Sequence, residues 1–224
     1  MIKMSGNNNK SRNLELTSEQ LDILKELGNI GAGHAITALS ELIEDRVDVS
    51  LTAVNIIPFW NIPDLFEDPN TEAFGIYSEI IDKSDLSIIQ FYTKESVINL
   101  VNILNDEDEI NVEDINTIEE LDEFTYSIIS EIGNILSGNY ASAVANLLSI
   151  GLVPGVPKLA LDNLNAMLDT VIAKYSQYSD YTIIVKTKIQ VKDIKLNGTI
   201  CLVPSMKILK ELFKILNIKY DLNI

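Results

Sequence analysis

Two copies of a Glu-x-x-Asn pair stand out among the residues of this chain that could do chemistry. The first copy is Glu26 with Asn29, in the stretch LDILKELGNIGAGHAITALSEL, and the second is Glu131 with Asn134, in YSIISEIGNILSGNYASAVANL. A carboxylate accepts hydrogen bonds, and a side-chain amide both donates and accepts them. The chemistry that each pair offers is therefore ion pairing and hydrogen bonding.

The two stretches match at a fixed offset, so that position 26 corresponds to position 131. Self-similarity at one offset indicates an internal repeat. The chain is therefore predicted to be an internal duplication. Besides the Glu-x-x-Asn pairs, the identical matched residues include Gly28 and Gly133, Ile30 and Ile135, Gly33 and Gly138, Ala38 and Ala143, and Leu42 and Leu147.

Each stretch has the spacing of an amphipathic helix. Steps of four, three and four residues place polar and small side chains on one stripe of a helix and apolar ones on the other side. The stripe of the first copy is Asp22, Glu26, Asn29 and Gly33, and that of the second copy is Ser127, Glu131, Asn134 and Gly138. The residues predicted to face the core are Leu24, Leu27, Ile30 and Ala38 in the first copy, and Ile128, Ile132, Ile135 and Val144 in the second.

The repeated glycines allow two interpretations. A glycine inside a helix costs about 0.5–1 kcal/mol relative to alanine, so its repetition needs a reason. One reason is close packing between helices, and the other is a partner that approaches the helix backbone closely. A polar stripe alone is typical of any exposed helix face, but its repetition at matched positions favours a function.

The remaining elements surround these two helices in a similar order in each half. The first helix is predicted to run from Thr17 or Ser18, as N-cap, to about Asp45. β-Branched and aromatic runs then predict strands, and a helix follows Thr93. The acidic run Asp106–Glu123 predicts a solvated connector between the halves. The predicted strands are Val47–Ile57, Ala73–Ile81, Leu86–Tyr92, Tyr181–Val191 and Lys195–Val203, and the further helices are a long one to about Leu148, one near Leu161–Tyr175 after the proline-bearing segment Gly151–Pro157, and a terminal one from Pro204 to about Leu216.

This order predicts an α/β fold in an α+β arrangement, with a mainly antiparallel sheet, two long surface helices and pseudo-twofold symmetry. A chain of 224 residues with 46% hydrophobic composition can bury a substantial core. We expect a flexible leader at 1–13 and one domain at 14–224, made of two repeats at about 14–110 and 118–224.

The composition restricts the partners and the compartment. A net charge of −16 repels nucleic acid and anionic lipid, so neither is expected as a partner. The single cysteine, Cys201, excludes an intramolecular disulfide and fits a reducing compartment. No segment reaches membrane-spanning length and the first residues lack a signal-peptide core, so we expect a cytoplasmic protein.

Three other motifs are interpreted as structural. GNIGAG, at 28–33, lies within a helical pattern and follows no strand, as a phosphate-binding glycine loop would require. His34 is the only histidine, so neither a histidine-based metal site nor a Ser-His-Asp triad can be assembled. The acidic connector lacks the spaced ligands and the glycine of an EF-hand loop. No metal site is predicted in the chain itself.

The two stretches resemble the CheC family of chemotaxis phosphatases, within the superfamily of CheC, CheX and FliY. The family signature is Asp or Ser, three residues, Glu, two residues, Asn, then twenty-two residues and Pro. The second copy has every element and ends at Pro157, whereas the first has Thr52 in place of the proline. The resemblance extends from about Leu14 to the C-terminus, and it is to the doubled, two-site form rather than to single-site CheX.

The resemblance implies hydrolysis of the aspartyl phosphate of a CheY-type response regulator. It implies that Asn29 and Asn134 position the attacking water and that Glu26 and Glu131 contact the lysine of the receiver. It places Mg²⁺ and the phosphoryl group on the receiver, so no cofactor is expected on this chain. CheD is a second candidate partner, and a monomer is expected. The residues expected to bind the substrate are Asp22, Ser127, Gly33, Gly138 and Pro157.

Two other functions remain open. A chemotaxis or flagellar-switch adaptor would bind CheY-like or CheD-like partners without hydrolysis. An unrelated small-molecule enzyme or sensor would need a concave pocket with convergent polar groups. The retained Glu-Asn pairs favour hydrolysis. Because a proline has a fixed φ and can hold the neighbouring backbone, the second site is expected to contribute more than the first.

Overall fold

The computed structural model describes most of the chain. The described residues are 16–44, 46–49, 53–81, 83–104, 110–111, 115–176, 181–191 and 196–204, with 208, 210, 211 and 214. The predicted leader, Thr52, much of the acidic connector and most of the predicted terminal helix lie outside them. Residues 208, 210, 211 and 214 are helical.

The labelled elements follow the order that the duplication predicts. Each half begins with a long helix and continues with strands and a further helix, and short 3-10 helices lie at Phe59–Leu65 and Ile118–Glu120. The elements are α1 (Ser18–Ile43), β1 (Asp48–Val49), β2 (Ala53–Pro58), β3 (Glu72–Ile80), β4 (Lys83–Thr93), α2 (Lys94–Leu104), α3 (Glu123–Leu148), β5 (Lys158–Asn163), α4 (Leu164–Tyr175), β6 (Tyr181–Val191) and β7 (Leu196–Pro204).

The two long helices begin and end at matched positions. Helices α1 and α3 each have 26 residues, and each ends beside a left-handed residue, Glu44 or Ser149, with φ of 53°. Thr17 caps the start of α1 and Asp122 that of α3, and each side chain accepts a hydrogen bond from the backbone N–H of the third helical residue. The predicted N-cap Thr17 is thus confirmed, and α1 ends two residues before the predicted end.

Seven strands form one antiparallel sheet in the described part of the chain. The order is β1-β6-β7-β4-β3-β5, and β2 pairs with β6 alongside β1. If each strand of one half is exchanged for its counterpart, β4 for β7, β3 for β6 and β1–β2 for β5, the order is reproduced in reverse. The predicted pseudo-twofold arrangement is therefore confirmed, with its axis between β4 and β7, where Ile89 pairs with Cys201.

The first strand of each half pairs with the other half. Strand β2 of the first repeat pairs with β6 of the second along its whole length, and β5 of the second repeat pairs with β3 of the first. The two repeats therefore share one sheet by exchanging their outer strands.

Helices cover both faces of this sheet. A large hydrophobic cluster joins α1, α2 and α3 to one face, and a smaller cluster joins α4 and the 3-10 helix Phe59–Leu65 to the other. Because side chains alternate along a strand, Ile88 of β4 belongs to the large cluster and Ile89 to the small one. Helices α1 and α3 also pack against each other, so the two motif helices lie in the same layer.

The sequence pattern misses some details of the elements. Lys158–Asn163 forms β5, a strand that was not predicted and that includes the start of the helix predicted near Leu161–Tyr175, so α4 begins at Leu164. The predicted strand Val47–Ile57 is divided into β1 and β2. The connector is not solvated throughout, since Ile115 is buried. No helix among the described residues is long and apolar enough to cross a membrane.

Candidate functional site

The polar stripe of the first copy lies on the outer surface of α1. Asp22, Glu26, Asn29 and Gly33 are exposed, whereas Leu24 and Leu27, between them in sequence, are completely buried. The helical period therefore separates the two sets as predicted. Asp22 forms an exposed ion pair with Lys25 at 3.7 Å, an arrangement that contributes little to stability. The Glu-Asn pair is accessible to a partner.

The second stripe has the same orientation on α3. Ser127, Glu131 and Asn134 are exposed and Gly138 is partly exposed, while Ile132 is buried. All four side chains of the two Glu-x-x-Asn pairs are therefore exposed, as the polar face of an amphipathic surface helix predicts. Two matched polar stripes therefore lie on the surface of one helix layer.

The matched glycines have two different roles. Gly28 and Gly133 are buried, and a Cβ atom on Gly133 would lie only 2.5 Å from Cγ2 of Ile76. A Cβ atom on Gly33 or Gly138 would meet no atom within 4 Å. Close packing thus accounts for Gly133, whereas nothing in the described fold requires glycine at the two exposed positions.

A buried polar network lies directly behind the second site. The Gln90 side-chain amide on β4 donates hydrogen bonds to the carbonyl oxygen of Gly133, at 2.9 Å, and to Oγ of Ser137, at 2.8 Å. The Tyr92 hydroxyl donates to Oε1 of Gln90 at 2.8 Å, and burial raises the pKa of Tyr92, which keeps it a donor. These bonds fix the backbone of α3 next to Asn134. The residue matched to Ser137 in the first copy is Ala32, which cannot make such a bond.

One residue predicted to bind the substrate is not exposed in the structure. Pro157 is buried just before β5, so in this conformation it is not accessible to a partner. Thr52, its counterpart, lies outside the described residues. His34 is exposed on α1, and GNIGAG is part of the same helix.

Three apolar residues on or next to the stripes were not among the predicted site residues. Ile30 and Ile135, predicted to face the core, are partly exposed, and among the described residues neither belongs to the two hydrophobic clusters. Phe124, at the start of α3, is 57% exposed. Two features of the sequence could have identified these residues. Each isoleucine directly follows the asparagine of its pair, and Phe124 lies three residues before Ser127, which is a helical step.

A cleft of about 370 Å³ lies away from the two stripes, on the sheet face that α4 covers. Lys186 and Lys188 line it, but Lys188 is ion-paired with Glu67. Lys186 lies over the ring of Phe66, 4.3 Å from its centroid, and donates to the carbonyl oxygen of Leu65. Burial lowers the pKa of Lys186. Both lysines already have partners, so the cleft gives little support to a small-molecule site.

The fold and the exposed stripes together define a class of protein: a duplicated α/β protein that carries a matched polar stripe on each of two neighbouring surface helices. The chain belongs to the CheC-like family, whose family profile matches residues 19–50 and 125–161. Each of the two matched segments contains one Glu-x-x-Asn stripe.

Two curated relatives and one solved structure extend this finding. The chain is 30% identical over 177 residues to the CheY-P phosphatase CheC of Bacillus subtilis, covering 78% of this chain and 81% of that protein. It is 33% identical over 76 residues to the flagellar motor switch phosphatase FliY of the same organism, covering 34% of this chain and 20% of that protein. The crystal structure of Thermotoga maritima FliY has a TM-score of 0.65 at 21% identity, covering 90% of this chain and 98% of that chain. This last similarity supports the fold.

Proposed function

We propose that this protein hydrolyses the aspartyl phosphate of a CheY-type response regulator. The observation that carries the proposal is the exposure of both Glu-x-x-Asn pairs on rigidly packed helices, in a chain similar to a CheY-P phosphatase. Exposed polar pairs that are kept at matched positions in both halves suit insertion into a partner.

The chemistry requires little of the protein that assists it. An acyl phosphate is already activated, so the assisting chain has to position a water molecule in line with the bond that breaks. The side-chain amide of Asn29 or Asn134 orients this water through its carbonyl oxygen and its N–H groups. The water attacks phosphorus, the bond from phosphorus to the aspartyl oxygen breaks, and free aspartate and inorganic phosphate result.

The glutamates and the surrounding residues dock the partner. Glu26 or Glu131 pairs with a lysine of the receiver, as the family resemblance implies, and the receiver also carries Mg²⁺ and the phosphoryl group. Gly33 and Gly138 leave the helix surface open beside each asparagine. Each site is thus half of an active site that the receiver completes. CheD binding and the monomeric state stay predictions.

The test is the rate of phosphate release from phosphorylated Bacillus subtilis CheY. Either single substitution, Asn29→Ala or Asn134→Ala, should lower the rate while the other site continues to act. With the double variant, the rate of phosphate release should fall by on the order of 100-fold or more, to the rate of the receiver alone. Asn146→Ala, an exposed asparagine on α3 off the stripe, is the matched control.

Two outcomes would contradict the proposal. An unchanged rate in the double variant would remove the catalytic role of the asparagines. Binding of the receiver without any acceleration by the wild-type chain would instead support the adaptor function.

A further inference from the structure

Each polar stripe has an apolar edge formed by a matched isoleucine. Ile30 follows Asn29 directly and lies four residues after Glu26, and Ile135 has the same relation to Asn134 and Glu131. Residues four apart are neighbours on a helix surface, so each isoleucine lies beside the glutamate of its own pair. Both isoleucines are partly exposed and lie outside the hydrophobic clusters of the described residues. Their repetition is therefore not explained by the core.

The apolar edge is longer at the second site. Phe124 lies three residues before Ser127 and seven before Glu131, which places it on the same stripe of α3. Phe124 is 57% exposed, although aromatic side chains gain free energy when they are buried. Tyr126 is also exposed, at 42%, but a step of two residues places it on the other side of the helix.

The first site has charge where the second has the ring. The residue of α1 that matches Phe124 is Glu19, which is exposed, and Asp22 matches Ser127. The stripe on α1 therefore reads Glu19, Asp22, Glu26, and the stripe on α3 reads Phe124, Ser127, Glu131. The two sites share the Glu-Asn pair and the isoleucine but differ at the end of the stripe.

From these contrasts, and resting on the proposed function, we propose that the apolar edge is a docking surface for apolar side chains beside the phosphoaspartate of the receiver. The second site holds the receiver through Ile135 and the aromatic anchor Phe124. The first site holds it through Ile30 and the charges of Glu19 and Asp22. Aromatic side chains that become buried in an interface carry much of its binding energy, whereas exposed charged contacts make association depend on salt.

Binding at the second site is measured in a background that carries Glu26→Ala and Asn29→Ala. The probe is Bacillus subtilis CheY loaded with beryllofluoride, a stable mimic of the phosphoaspartate. Phe124→Ala and Ile135→Ser should each weaken binding about tenfold, with kcat for hydrolysis of phosphorylated CheY little changed and KM raised. Tyr126→Ala, an exposed aromatic on the same turn but off the stripe, should bind as the background does.

The converse exchange tests the first site in a background that carries Glu131→Ala and Asn134→Ala. Here binding should weaken severalfold when NaCl is raised from about 50 to about 300 mM, because Glu19 and Asp22 are charged and exposed. Glu19→Phe should tighten binding and reduce this dependence on salt. Because misfolding does not raise affinity, tighter binding by Glu19→Phe could not be explained by a damaged fold.

The outcomes separate this inference from the proposed function. If the wild-type chain neither binds nor dephosphorylates CheY, the proposed function fails. If it does both, but Phe124→Ala and Ile135→Ser behave like Tyr126→Ala, the docking surface is wrong while the proposed function stands. Equal losses with Phe124→Ala and Tyr126→Ala would indicate a general effect of surface hydrophobicity and would also overturn the inference.

Discussion

Glycine has two distinct uses on helix α3, and they lie five residues apart. Gly133 faces inwards, where its missing side chain lets the helix approach Ile76 of the sheet. Gly138 lies on the site stripe, where a Cβ atom would meet open space. The sequence offers packing and partner approach as competing explanations for the repeated glycines. The structure assigns packing to Gly133 and leaves partner approach as the explanation for Gly138.

The two glycines should respond in opposite ways to alanine. Gly133→Ala should lower the free energy of unfolding by about 1–3 kcal/mol, because the new methyl group overlaps Ile76. Gly138→Ala should raise it by about 0.5–1 kcal/mol, because alanine favours the helix. If the partner needs that open space, Gly138→Ala should still lower receiver dephosphorylation in the Asn29→Ala background. Urea unfolding and phosphate release measure the two effects, and a fully active Gly138→Ala protein would remove the approach argument.

Residue types and periodicity predict the site better than they predict its edge. The glutamates and asparagines are polar residues at helical spacing, so their exposure follows from the pattern. Ile30 and Ile135 lie at the boundary between the two faces, where hydrophobicity alone favours the core. Their exposure depends on how α1 and α3 sit against each other and the sheet, and a single sequence does not contain that information.

Elements with a strong local signal were predicted most closely. Tyr181–Val191 has the predicted bounds of β6, and Thr93 bonds the backbone N–H of Ser96 at the start of α2. Strand β5 has only six residues and borders directly on α4, and its pairing with β3 joins distant parts of the chain. The 3-10 helix Phe59–Leu65 contains Pro63 and carries no periodic pattern. Both elements are set by tertiary contacts, which local propensity does not report.

The two helix caps provide a prediction with a built-in control. Asp122 accepts hydrogen bonds from the backbone N–H and from Oγ1 of Thr125, at 2.8 and 2.7 Å, and these lower the pKa of Asp122. The contribution of the Asp122 carboxylate to the free energy of unfolding is fully present above its pKa in the unfolded chain, about 3.9. This contribution is lost as the pH falls through the lower pKa of Asp122 in the folded protein. Asp122→Ala should therefore cost about 1 kcal/mol at pH 7 and less near pH 3.

Thr17 occupies the matched N-cap position and has a hydroxyl group that does not titrate in this range. Thr17→Ala should cost a similar amount, about 1 kcal/mol, at both pH values. Urea unfolding of the two variants and the wild-type chain at each pH measures the difference. A loss for Asp122→Ala that does not change with pH would show that the carboxylate charge plays no part in the cap.

At the scale of the whole molecule, duplication is compatible with two independent halves, whereas the exchange of strands joins the halves into one sheet. Duplication alone would allow two independent halves, each with its own core. The sheet instead places β5 beside β3 and β2 beside β6, and it joins the halves again through β4 and β7. The repeat was visible in the sequence because matched residues recur at one offset. The exchange could not be predicted from the sequence, because the repeat pattern is the same whether the outer strand pairs with its own half or with the other half.

We propose from this exchange that the two repeats form one cooperative unit. A fragment of residues 1–110 would lack the strands that pair with β2, with the outer edge of β3 and with the inner edge of β4, and unpaired edges over an apolar sheet are unstable and associate. Fragments 1–110 and 111–224 should therefore each lack a cooperative unfolding transition, and mixing them should restore native circular dichroism and receiver dephosphorylation. The full chain cut at a protease site inserted at position 107 is the control, since the cut leaves both halves present and should leave one transition at nearly the original denaturant midpoint. Cooperative unfolding of either fragment alone would show that the exchanged strands are dispensable and that the halves are separate domains.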